Sequence, residues 1–167
     1  MKKLNVLLVS MLSVLAVAPN AMAADSEVKW TNPDEYRDIY PGEQGKKKFR
    51  ERTFANLEKH IAKLANKLPE GQKLVLDVTD VDLAGDVHHG GIDRIRIIKD
   101  IHFPRMTFTY KLVDGSDGVV KSGEAKLRDM NFMMHTALKY RSDSLGYEKK
   151  MLDDWFSDTF VETIAKK

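Results

Sequence analysis

Apolar residues recur every three or four positions in FANLEKHIAKLANKLPEG, at Phe54, Leu57, Ile61, Leu64 and Leu68, and this spacing predicts an amphipathic helix ended by Pro69 and Gly71. A second helical stripe, Tyr147, Met151, Trp155, Phe156, Phe160 and Ile164, predicts a helix close to the end of the chain, with its aromatics in the core. Between them the period falls to two. RMTFTYKLV sets Met106, Phe108, Tyr110 and Leu112 on one face and Thr107, Thr109 and Lys111 on the other, and the turn signal DGSDG leads from it into Val119–Leu127, which predicts an antiparallel hairpin. Lys73–Val81 is apolar on both faces, as a central strand is, and Arg94–Ile98 is a shorter strand candidate. The order helix, strands, hairpin, helix implies an α+β fold: a mainly antiparallel sheet of three to four strands packed against an N-terminal and a C-terminal amphipathic helix. Residues 25–45, with Pro33, Pro41, Gly42 and Gly45, read as an extended N-terminal arm docked through Trp30, Tyr36 and Tyr40.

The first 23 residues follow a different pattern. Lys2 and Lys3 precede a run from Leu4 to Val17 that is apolar apart from Asn5, Ser10 and Ser13, and Ala21-Met22-Ala23 offers the small residues of a cleavage site. The expectation is a signal peptide over 1–23, cleavage near Ala23/Ala24, and a periplasmic single domain over 24–167. The apolar run is shorter than the ~20 residues that span a bilayer, and no later segment is long enough, so no transmembrane segment is expected after cleavage. Cysteine is absent, which removes disulfides, thiolate nucleophiles and lipid attachment. Subtracting Lys2 and Lys3 from 27 basic residues leaves 25 against 25 acids, so the exported chain carries no net positive charge and no nucleic-acid partner is expected.

The chain lacks a G-x-S-x-G elbow, an H-E-x-x-H pair and a G-x-G-x-x-G loop. Candidate chemistry concentrates in LVLDVTDVDLAGDVHHGG. Read as a calcium loop from Asp80, the stretch fails, because Gly91 stands where the bidentate glutamate belongs. A divalent-metal site built from Asp82, Asp86, His88, His89 and His102 has the right donor types. Adjacent histidines on a strand point to opposite faces, so both reach one ion only in an irregular loop, which Gly90 and Gly91 supply. The structural reading of the same residues is a solvated glycine-rich loop, with Asp80 and Asp82 sharing one strand face and pairing with Arg94, Arg96 or Arg105 to fix register. Asp77, amid Leu76 and Val78, needs a partner, since a carboxylate in an apolar strand is costly alone. KKKFRER, residues 46–52, reads as a solvated helix start, and His60 and His135 as surface or interface residues.

VKWTNPDEYRDI, LPEGQKLVLDVTDVDLAG, RIRIIKDIHFPRMTFTYKL and YEKKMLDDWF, in this order over nearly all of residues 24–167, resemble the exported bacterial family catalogued as domain of unknown function DUF3016. The resemblance implies an envelope location and a single domain, and carries over no catalytic residue and no cofactor. The functional expectation is an exported periplasmic binding or accessory domain without a catalytic motif, whose partner is a cell-envelope protein. The alternative is a metal-binding protein or metal-dependent hydrolase using the Asp/His-rich segment 80–102.

Overall fold

The computed structural model describes residues 24–40, 45–88, 95–134 and 138–165. Its elements are β1 (Asp25–Trp30), α1 (Lys46–Ala65), β2 (Lys73–Asp82), β3 (Asp86–His88), β4 (Ile95–Ile97), β5 (Arg105–Val113), β6 (Val119–Arg128), a short α2 (Leu138–Arg141) and α3 (Gly146–Ile164). The main sheet has the order β1-β2-β5-β6, with β1 parallel to β2 and the other pairs antiparallel. This is the expected α+β fold with a mainly antiparallel sheet and two long helices.

The hairpin from β5 to β6 forms as the sequence indicates, because Asp114 accepts the N–H groups of Ser116 and Gly118 at 2.9 Å and holds the turn. The core lies between one sheet face and the helices. Leu74, Leu76, Val78, Met106, Phe108 and Leu112 meet Leu57, Ile61 and Leu64 of α1 and Leu152, Phe156 and Phe160 of α3. Trp155 packs edge-on against Phe108, with ring centroids 4.8 Å apart. Ile61 is fully buried on the helix seam. Ile61→Ala should therefore lower the unfolding free energy by about 2–5 kcal/mol in thermal or denaturant unfolding, and little change would mean that α1 does not seat on the sheet.

Three expectations need correction. Residues 25–30 are an edge strand rather than an arm, seated by Val28 and by Trp30, which stacks on Phe54 at 3.9 Å and donates to Glu58 at 2.7 Å. Tyr36 docks, giving its hydroxyl to the Val78 carbonyl at 2.7 Å, but Tyr40 stays exposed under Lys46. Helix α1 begins at Lys46, two turns before Phe54, where KKKFRER reads as a helix start, but it ends at Ala65, short of Leu68. Its extra turns are held from outside by Arg50, which reaches the Asp34 carboxylate, and the run to Leu68 is closed by tighter bonds from Lys67 and Leu68 N–H to the Leu64 and Ala65 carbonyls. The strand at 95–97 pairs with β3 in a separate two-stranded ribbon, so its arginine does not reach across the main sheet.

Strand β2 also changes phase along its length. Its register on β5 shifts between Val78 and Asp80, which leaves Thr79 as an extra residue. Before the shift the even positions Leu74, Leu76 and Val78 face the core; after it Val81 does, and Asp80 and Asp82 join Asp77 on the outer face. Without the bulge those two acids would point inward.

Candidate functional site

The outer face of β2 is a compensated charge surface. Asp77 accepts from the Thr31 hydroxyl at 2.6 Å and from Lys29 at 3.4 Å. Asp80 takes the backbone N–H of Arg37 at 2.9 Å, and Asp82 pairs with Arg105 at 3.1 Å. Arg105 thus fills the expected register role, while Arg94 lies outside the described residues. Burial nevertheless holds the Asp82 carboxyl above its ordinary range, against Arg105 and with the nearby Asp38 charge adding to the rise.

Arg96 takes a different role from the one expected. Its guanidinium grips both carboxylate oxygens of Asp38 at 2.9 Å, and also donates to the Gly85 and Tyr40 carbonyls at 2.9 Å. The Leu83 and Ala84 carbonyls share the same nitrogen at 3.4 and 3.3 Å. Asp38 itself bridges to Asp82 and extends the β1 edge beyond the loop at 31–37. Arg96 therefore clamps the strap Leu83-Ala84-Gly85 where it leaves the sheet. Gly85 makes the exit with φ +81°, and a Cβ there would stand 2.6 Å from the Ile97 carbonyl.

The strap's other tether is Glu148, in the first turn of α3. It is buried to 2 % exposure, and its Oε1 accepts the Ala84 N–H at 2.7 Å. An acid is favoured there by the helix N-terminus, yet burial outweighs that and pushes its carboxyl above the usual glutamate range. Glu148 Oε2 and Arg96 Nε, both buried, have no hydrogen-bond partner among the described residues. Both residues line one cleft of about 410 Å³ between α1, the start of α3 and the strap. Phe49, Leu83, Ala84 and Leu145 form its apolar wall, and Arg52, Thr53, Asn56 and Ser144 complete it. The cleft thus sets a carboxyl and a guanidinium beside an apolar wall.

Four of the residues expected to hold a metal, Asp82, Asp86, His88 and His102, lie among the described residues. Asp82 is occupied by Arg105. Asp86 accepts the N–H of its neighbour Val87 at 2.8 Å, and His88 stands exposed on β3 rather than in a loop. His102 shares with them a shallow depression of about 200 Å³ that also contains Lys99. His89 lies outside the described residues, as does His135. Among the described residues no three His, Asp or Glu side chains come together in a metal-holding arrangement. His60 sits at the helix interface, bonded to Asp153 at 2.7 Å, where burial lowers its pKa more than that carboxylate raises it.

Among the described residues no helix is long and apolar enough to cross a membrane. No curated protein and no solved structure matches the chain. A family model described as a protein of unknown function, DUF3016, matches residues 24–158, from the residue before β1 into the last turns of α3. It takes in the strap, Arg96 and Glu148, and the chain belongs to the DUF3016 family.

Proposed function

We propose that the protein is an exported, non-enzymatic binding or accessory domain of the bacterial cell envelope, and that the cleft between α1 and α3 receives its ligand or a side chain of its partner. The observation that carries this reading is the buried Glu148 carboxyl at the cleft wall, which spends one oxygen on the strap and leaves the other without a partner among the described residues. A buried carboxylate is costly unless fully bonded, so an acceptor kept half-bonded at a cleft wall is a feature that a bound donor would complete. The apolar run before Ala24 supports export.

Native mass spectrometry of the protein taken from envelope extract tests the reading. The expected spectrum shows a stoichiometric adduct or partner that disappears in Ser144→Trp, since Ser144 is exposed at the cleft wall and a bulky ring there blocks entry without entering the core. Glu148→Gln keeps the Ala84 bond but replaces Oε2 by a donor, so it should weaken binding at least tenfold, roughly 1.4 kcal/mol, while the fold stays intact. A bare protein, or binding that Ser144→Trp leaves untouched, contradicts the proposal. The pH dependence has a definite sign. The raised Glu148 pKa means that acid converts the acceptor to a donor above the ordinary glutamate value of 4.5, so binding of a donor group falls as pH drops through that raised value. The stability contribution runs the other way: it is present below the ordinary value and is lost as pH rises through the raised one.

A further inference from the structure

Beyond the cleft, Met130, Met133 and Met134 stand 62 %, 50 % and 77 % exposed in a turn that follows β6. Three thioethers in five residues thus leave half or more of their surface to solvent. Adaptable apolar side chains normally fill cores, as Met106 and Met151 do here. The turn that carries them is anchored. Phe132 is fully buried and packs edge-on against Tyr147 at 4.7 Å, the Asp129 N–H donates to the Pro104 carbonyl at 3.2 Å, Asp129 accepts the Asn131 N–H at 3.1 Å, and the Met134 N–H closes the turn on the Asn131 carbonyl at 2.9 Å. A turn of this kind holds its ends within about 7 Å. The flexible side chains of Met133 and Met134, and of Met130 one position before the turn, are then within reach of one another. A patch from one turn is far smaller than the roughly 800 Å² per partner of a stable protein interface.

We infer that Met130, Met133 and Met134 form a surface site for a soft monovalent metal cation, copper(I) or silver(I). Neutral thioethers are poor ligands for hard or borderline divalent ions and select soft cations. Because each sulfur is neutral, such a site needs no buried counter-charge. It is independent of the cleft.

The test uses silver(I), which needs no reductant, added to the purified protein carrying labelled methionine methyl groups. The methyl signals of Met130, Met133 and Met134 should shift together and saturate at one equivalent, while those of buried Met106 and Met151 stay in place. Replacing the three by leucine keeps the apolar surface and removes the sulfur, so silver affinity should fall by at least about tenfold with unchanged thermal unfolding. Equal competition by zinc(II), unmoved signals from the three methyls, or undiminished affinity in the leucine variant would each overturn the assignment.

Discussion

Val81→Asp should abolish the cooperative unfolding transition of this protein. Val81 is fully buried and faces the core just past the register shift that leaves Thr79 as an extra residue. A carboxylate in that apolar cluster costs several kcal/mol, a large part of the whole stability of a domain, about 5–15 kcal/mol. Deleting Thr79 should instead be tolerated, because it joins inward-facing Val78 directly to Asp80, and the period of two then keeps Asp80 and Asp82 outward and Val81 inward without a bulge. Circular dichroism with thermal unfolding reads the outcome. Thr79→Ser, which keeps the residue count and the hydroxyl that donates to the Thr107 carbonyl at 3.3 Å, should behave nearly as the parent does.

The second large effect concerns Arg96. Arg96→Leu strips the bidentate partner from Asp38, whose side chain is only 16 % exposed, and leaves the Gly85 and Tyr40 carbonyls without their donor. Breaking a buried ion pair by removing one partner costs about 3–5 kcal/mol, because the other charge stays behind. Denaturant unfolding should show a loss in that range, and Asp38→Asn added to it should recover part of the loss by removing the orphaned charge. Arg96→Lys should rescue little, since an ammonium cannot reproduce the fork that grips two carboxylate oxygens and the strap together. A loss below about 1 kcal/mol, the level of an exposed pair, would mean that the clamp does not hold the strap.

These two predictions rest on features of very different legibility. The helix seams and the hairpin could be read directly, because Leu57, Ile61 and Leu64 repeat at helical spacing and DGSDG is turn chemistry. The bulge could not: Lys73–Val81 reads as an apolar strand whichever way its acids point, and only pairing with β5 reveals the extra residue. Edge strand β1 was masked by Pro33 and the glycines behind it, although Val28 and Trp30 alternate as a short strand does. Arg96 was legible as a partner for an acid, but Asp38 lies far from it in the chain and carries no local signal. The Asp/His-rich stretch stands out in the sequence because its donors are dense there, whereas the cleft is assembled from α1, the strap, Arg96 and α3. Glu148 did leave a trace. It falls in register with Met151, Leu152 and Trp155, at steps of three, four and seven, so an acid occupies the buried stripe of α3. The Ala84 bond makes Glu148 a tether of the strap, and its second oxygen is buried without a partner among the described residues.

Recognition in the cleft between α1 and α3 can be followed in backbone amide spectra recorded while concentrated envelope extract is added to the labelled protein. Binding there should gather shifts at Ala84, Ser144, Leu145 and Glu148 that are absent in Ser144→Trp. Shifts confined to the outer sheet face, at Thr107, Thr109 and Lys111, would contradict it.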